Sequence, residues 1–255
     1  MNFLKNILSS FITSISLTII ALTSASALAA DADVAAALAH SDRPSNDSAA
    51  DAGRMPGDVL SFAGLETGMD VFEVEAAGGY YTEILSRAVG SSGSVILQHP
   101  PGLMGFVGDS IDVRTANNRL SNVTVSISNF DELDAADNSM DMVTWILGPH
   151  ELGFTPGGNS LGDAAEAFRE IARILKPGGV LVASDHIAAN GAGVEAGGTL
   201  HRIEESIVTD WAEAAGLSVA ATSNMFKNTA DPLTEGVFAP AIQGKTSKFL
   251  VLYRK

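Results

Sequence analysis

Met69-Asp70-Val71-Phe72-Glu73-Val74-Glu75-Ala76-Ala77-Gly78-Gly79-Tyr80-Tyr81-Thr82-Glu83-Ile84-Leu85 passes from a short apolar run, through a pair of glycines, into a segment of helical periodicity. The pattern predicts a strand over 69–74, a tight turn at Gly78-Gly79 and a helix over 80–89. Glycines at such a junction let the backbone come close to a bound ligand. The helix that follows points its unpaired N–H groups at the same place.

Working outward, the alternation repeats. Strands are predicted over 94–97, 123–127, 140–147 and 180–183, with a weak helix over 103–120. Ala164, Ala167, Phe168, Ile171 and Leu175 recur at helical spacing and predict a helix over 161–175, stopped by Lys176-Pro177-Gly178-Gly179. A further helix is expected over 199–215, with Thr199 as N-cap and Gly216 at its exit. Two last strands, over 217–221 and 248–253, have no clear helix between them. Strands alternating with helices imply an α/β domain: a Rossmann-like, seven-stranded, mostly parallel sheet with helices on both faces and one antiparallel edge strand. An amphipathic helix interrupted at Pro56 is expected over 51–65, and residues 30–50 read as a loosely ordered lead-in. The sequence shows no internal repeat, so 51–255 is read as one domain.

Composition narrows the chemistry. The 255 residues contain no cysteine, which excludes thiol catalysis, disulfide exchange and cysteine-bound zinc. The formal charge of −15 opposes binding to nucleic acid. At the start, Lys5 is followed by an apolar run over 7–22 and then by Ala27-Leu28-Ala29, the layout of a secretory signal peptide over 1–29. The alternative is an uncleaved anchor, but the run holds several Ser and Thr and is shorter than the ~20 apolar residues that span a bilayer. The expectation is therefore an exported, periplasmic protein with no stable membrane insertion after cleavage.

The layout, with Gly78-Gly79-Tyr80-Tyr81-Thr82-Glu83-Ile84-Leu85, Leu175-Lys176-Pro177-Gly178-Gly179, Asp185-His186, Leu200-His201-Arg202-Ile203 and Lys248-Phe249-Leu250-Val251, resembles the class I S-adenosylmethionine-dependent methyltransferases. It is most similar to an exported, signal-peptide-bearing bacterial group of them. The resemblance covers roughly 51–255 and implies methyl transfer to a small-molecule acceptor, with S-adenosylmethionine as cofactor.

The resemblance also implies roles. The family's first-strand motif is an acid followed by glycines at alternating positions. Here Glu73 is the acid, Glu75 and Ala77 replace two glycines, Gly79 remains, and Gly78 adds a flexible point. Tyr80 and Tyr81 start the next helix, one expected to face the cofactor and one a substrate or the protein body. Gln98 stands where the family places an acid for the cofactor ribose, and Asp131 where an acid meets the adenine amino group; a solvated loop carboxylate is the other reading of Asp131. His150 and His186, with Asp185, lie at the carboxyl ends of two strands and are candidates for proton transfer, the alternative for His150 being a packing role. His201 and Arg202 are candidate substrate ligands. Arg202 is read either as a grip on a substrate carboxylate or as an ion pair with Glu205 on one helix face.

His99, His150, His186 and His201 all map to one rim of the sheet. A metal-assisted enzyme built on that rim is therefore one alternative, although no pair has a recognised metal-ligand spacing and no metal is assigned. A non-catalytic ligand-binding module, motivated by Glu75, Ala77 and Gln98, is the other. The glycine-rich stretch 190–198 is read as a lid or a flexible connection.

Overall fold

The computed structural model describes residues 31–255, so the expected signal peptide lies outside the described residues. The chain opens with α1 (Val34–Leu38), α2 (Ser45–Arg54) and α3 (Pro56–Ala63). The lead-in is thus helical, which corrects the expectation of loose order over 30–50. Long-range ion pairs, invisible to composition, pin it down: Arg43 reaches Asp51, and Asp47 reaches Arg114. The helix expected over 51–65 is split. Met55 takes a left-handed φ of 46°, and Pro56 begins α3 as its first residue, where its missing N–H is not needed.

The elements then run β1 (Asp70–Val74), α4 (Tyr80–Val89), β2 (Ser94–His99), α5 (Met104–Val107), α6 (Ser110–Thr115), β3 (Val123–Ile127) and β4 (Met140–Ile146). They continue with α7 (Ala164–Ile174), β5 (Leu175–His186), α8 (Ala196–Leu200), α9 (Glu205–Ala214), β6 (Ser218–Ser223) and β7 (Lys248–Arg254). Seven strands form one sheet in the order β3-β2-β1-β4-β5-β7-β6. All are parallel except β7, which runs antiparallel to both neighbours. The antiparallel strand expected at this margin therefore sits one place in, with β6 outermost.

Side-chain alternation sorts the core onto the two faces. Phe72, Val74, Val143, Trp145 and Leu181 face α7 and α9 in one apolar cluster. Val71, Met142 and Val182 face α3 and α4 in the other. Helix α7 is held by the capping carboxylate of Asp163, which accepts the Glu166 N–H at 2.9 Å. Residues 176–179 are displaced from the ladder, since Met140 pairs with Leu175 but Met142 pairs with Val180.

Two further expected helices are broken, for different reasons. The one over 103–120 divides into α5 and α6 at Gly108, whose φ of 56° and ψ of −126° no L side chain adopts comfortably. The one over 199–215 divides because Ile203 pairs with Ile187 as a parallel bridge, and His201 turns left-handed, at φ 53°, to reach it. Sheet pairing overrides the helical periodicity there. No helix among the described residues is long and apolar enough to cross a membrane.

Candidate active site

Strand order reverses about β1 and β4, and in open α/β sheets a crevice forms there, beyond the carboxyl ends of the strands. Its floor is the turn after β1. Glu75, Ala77 and Gly79 have φ of 53°, 48° and 76°, so three alternate residues stand in the left-handed region. These are the positions that carry glycines in the first-strand motif of the family the sequence resembles. The turn keeps the glycine-type backbone although two of the three residues carry side chains, at a cost of about 1–2 kcal/mol each. Tertiary bonds hold it: Ala76 N–H donates to the Gln98 carbonyl, and Glu75 N–H donates to Gln98 Oε1, both at 2.8 Å.

On one side of this turn lies a cavity of about 470 Å³, lined by Glu75, Ala77, His99, His150, Glu151, His186, His201 and an apolar set including Phe106, Phe154 and Phe238. All four histidines of the rim meet here. A 3₁₀ turn over Pro149–Gly153 carries His150 into the wall. Its backbone N–H donates to Asp185 at 2.7 Å, and its Nδ1 lies 3.0 Å from both Asp185 oxygens. Burial disfavours the charged imidazole, but Asp185 and Glu151 outweigh it and hold the His150 pKa well above the ordinary range. His150 Nε2 stands 3.2 Å from His201 Nδ1 and 3.3 Å from Glu151 Oε1.

The other histidines are pushed the opposite way. Burial lowers His186 to about 4, partly opposed by Asp185, and its Nδ1 pairs with the Thr246 hydroxyl at 2.7 Å. Burial also lowers His99, neither of whose ring nitrogens finds a partner among the described residues. His201 is lowered by burial and by the neighbouring His150. Across the cavity, burial and then Glu151 raise the Glu75 carboxyl well above the carboxylate range, against the pull of His150 and a hydrogen bond from Trp145 Nε1 at 3.3 Å.

Close glycine packing sets this geometry. A Cβ on Gly148 would lie 2.1 Å from the Glu75 carboxylate, and one on Gly197 only 1.9 Å from the His150 carbonyl. Gly197 is buried against the 3₁₀ turn, so the glycines near 190–198 serve at least in part to press α8 onto His150. That contact delivers His201 to its partner.

A smaller cleft of about 190 Å³ lies on the other side of the turn, lined by Arg54, Glu73, Glu75, Ala77, Tyr80, Tyr81 and Thr144. Both tyrosines face this cleft. Tyr80 donates to Asp51 at 2.7 Å, and the Arg54 guanidinium lies over its ring at 4.5 Å. Tyr81 is almost fully buried and donates to the Arg54 carbonyl at 3.5 Å. Burial raises the Glu73 carboxyl to about 8, with the Thr82 hydroxyl, Arg114 and Arg54 pulling it partly back.

Several expected site residues have other employment. Arg202 is fully buried outside any helix and makes a two-pronged ion pair with Asp231 at 2.9 and 3.0 Å. That corrects both readings of it, as a substrate grip and as a partner of Glu205. Gln98 is completely buried, accepting from Glu75 N–H and donating to the Ser128 carbonyl at 2.6 Å, so its amide is spent on structure. Asp131 accepts the Asp163 N–H at 2.8 Å, which turns its carboxylate to the start of α7 instead of an adenine. Gly78 accepts Arg114 Nε at 2.9 Å on a different groove, and a Cβ on Gly79 would meet Arg114 Cγ at 2.9 Å. Sequence reasoning missed Arg54 and the three rim phenylalanines. Arg54 was legible only as a charge before Pro56, and Phe238 gave no signal at all.

Residues 110–232 match the family model described as a methyltransferase domain. Over 124 residues the chain is 30% identical to the ubiquinone/menaquinone biosynthesis C-methyltransferase of Hydrogenovibrio crunogenus, a match covering 49% of this chain and 44% of that one. The chain thus spans under half the length of the curated relatives it matches. Among solved structures, an S-adenosylmethionine-dependent methyltransferase from Aquifex aeolicus superposes with a TM-score of 0.60 at 22% identity, covering 82% of this chain and 94% of its own. A [4+2]-cyclase superposes with a TM-score of 0.55 at 16% identity, covering 80% of both chains. With its sheet order, its left-handed turn after β1 and these likenesses, the chain has the Rossmann-like methyltransferase fold.

Proposed function

We propose that this chain transfers a methyl group from S-adenosylmethionine to a small acceptor bearing an apolar ring. The observation that carries the reading is the row of left-handed residues at 75, 77 and 79 beneath a crevice with two lobes. The residues present fit the cofactor at its methionine end. Arg54 would meet the carboxylate from the smaller cleft, and Glu75 offers a carboxyl to the positive sulfonium and amino groups. Gln98 gives the ribose nothing, because its amide is engaged at both ends.

When bound, the cofactor supplies an electrophilic methyl: an electron pair of the acceptor forms the new bond, and the pair of the broken carbon–sulfur bond returns to sulfur. The chain's own part is alignment. Phe106 and Phe238, 73% and 66% exposed, stand at the mouth of the larger lobe as an apolar rim for a ring. The quinone-pathway relative matches such a substrate. The proton that the acceptor gives up passes to water, since burial holds His186 at about 4 and leaves it a hydrogen-bond acceptor instead of a base.

A second reading, a binding module on the same fold, is favoured by the spent Gln98 and by a fold neighbour named as a cyclase. Calorimetric titration of S-adenosylmethionine into the purified protein separates the two. The first reading expects micromolar binding weakened at least tenfold by Arg54→Ala and by Gly79→Val. No heat and no thermal shift at millimolar cofactor would refute it. Export and kinship to the signal-bearing group are proposed from the sequence over 1–29 and the quoted motifs. A periplasmic fraction whose protein begins at Ala30 would support export, and full-length protein confined to the cytosol would refute it.

A further inference from the structure

The methyl-transfer reading leaves one part of the larger lobe unused: the knot of His150, Glu151 and His201. We infer that these three side chains form a binding site for a divalent transition ion of the zinc class, with an open position facing the cavity.

The spacing supports a metal over a chance cluster. Donor atoms around a tetrahedral ion with bonds of about 2.0–2.1 Å stand about 3.3–3.4 Å apart. His150 Nε2 lies 3.2 Å from His201 Nδ1 and 3.3 Å from Glu151 Oε1, and one donor atom from each of the three residues falls within 4.8 Å of the others. Two edges of the tetrahedron are therefore already in place, and the third, between the Glu151 carboxylate and His201, is within 4.8 Å. The Glu151 side chain is only 11% exposed, and its buried Oε2 has no partner among the described residues, so a ligand there displaces no hydrogen bond at that atom.

Orientation points the same way. Nδ1 of His150 faces both oxygens of Asp185, which holds a proton there, so an incoming cation displaces the Nε2 proton of the charged ring and takes its lone pair. A buried carboxylate behind a ligating imidazole is the usual outer partner of protein-bound zinc. Nε2 then confronts a carboxylate oxygen and a second imidazole nitrogen, and one bound cation satisfies all three. Two imidazoles and one carboxylate select zinc-like ions over magnesium or calcium. Phe154 and Phe238, with centroids 6.1 and 5.1 Å from the His201 ring, set an apolar wall on that side. The open position would take an oxygen of the acceptor, so Asp185 acts as a positioning residue for the ion.

The test uses the full chain, stripped with a chelator and then given Zn²⁺ or Co²⁺ alone, without cofactor. The expected result is one ion per chain and, with Co²⁺, the intense visible bands of a tetrahedral site. His201→Gly, which keeps the left-handed backbone without strain, and Glu151→Gln should each weaken binding more than 100-fold while the thermal transition stays in place. Asp185→Asn should cost 10–100-fold, and His40→Ala, in the exposed lead-in, nothing. Absence of a stoichiometric ion, or binding that survives both His201→Gly and Glu151→Gln, would overturn the assignment. Because no cofactor is present, failure here leaves the methyl-transfer reading untouched, and the reverse also holds.

Discussion

Replacing Glu73 by Gln probes the buried acid beneath the cofactor turn. Burial holds the Glu73 carboxyl at about 8 against an ordinary 4.5, so the folded protein keeps a proton that the unfolded chain releases. The sign follows: stability linked to this group is complete below pH 4.5, falls as pH rises, and levels off above about 8. Each unit within that window costs at most about 1.4 kcal/mol, which sets a ceiling near 5 kcal/mol. The groups that face Glu73 are the Thr82 hydroxyl from α4, the Arg114 and Arg54 guanidiniums, and Tyr81, whose own pKa burial raises. Urea unfolding of the wild type and of Glu73→Gln from pH 5 to pH 9 reads the difference, since the other titrating groups largely cancel between the two proteins. The variant should gain on the wild type steadily up to pH 8 and then run parallel to it. Parallel curves throughout would refute the claim that Glu73 is neutral in the folded state.

Arg202→Met leaves Asp231 buried without its partner and should cost about 3–5 kcal/mol in chemical denaturation, with unchanged cofactor affinity in the molecules that remain folded. At Ala77, relief of left-handed strain and added freedom of the unfolded chain nearly cancel, so Ala77→Gly should shift stability by less than about 1 kcal/mol. Ala77→Val should lose about 1–2 kcal/mol in the same measurement. Gly197→Ala, whose methyl would sit 1.9 Å from the His150 carbonyl, should lower stability by about 1–3 kcal/mol. It should also weaken Co²⁺ binding in a spectroscopic titration by moving His201 away from His150.

The alternation of elements was legible because each strand is bounded by a turn signal and each long helix has an apolar stripe. The helix α4 at Tyr80–Val89 and the strand β3 at Val123–Ile127 fall where periodicity placed them. The breaks were less legible. Gly108 was visible but did not declare that it would end a helix, and the pairing of Ile203 with Ile187 depends on residues 16 apart in the chain. At the site, strand ends predict which histidines share a rim, so their convergence on one cavity could be anticipated. What a polar side chain is used for could not. Gln98, Asp131 and Arg202 all stand at suggestive positions, yet their hydrogen bonds go to Ser128, Asp163 and Asp231. The partners are separated from them by 29 to 32 residues, a distance over which composition and spacing carry no information.

The place of β7 bears on the order in which the molecule can assemble. Residues 248–254 are made after all the other strands, yet they lie between β5 and β6 and pair with both. Until they leave the ribosome, β5 presents an unpaired edge and β6 has no neighbour, because its only ladder among the described residues is to β7. From the emergence of β5 until β7 is added, the nascent chain therefore carries an open, sticky margin, and the sheet closes in a single late event. A protein built this way stays receptive to chaperones until residues 248–254 arrive, and losing them would cost it two strands instead of one.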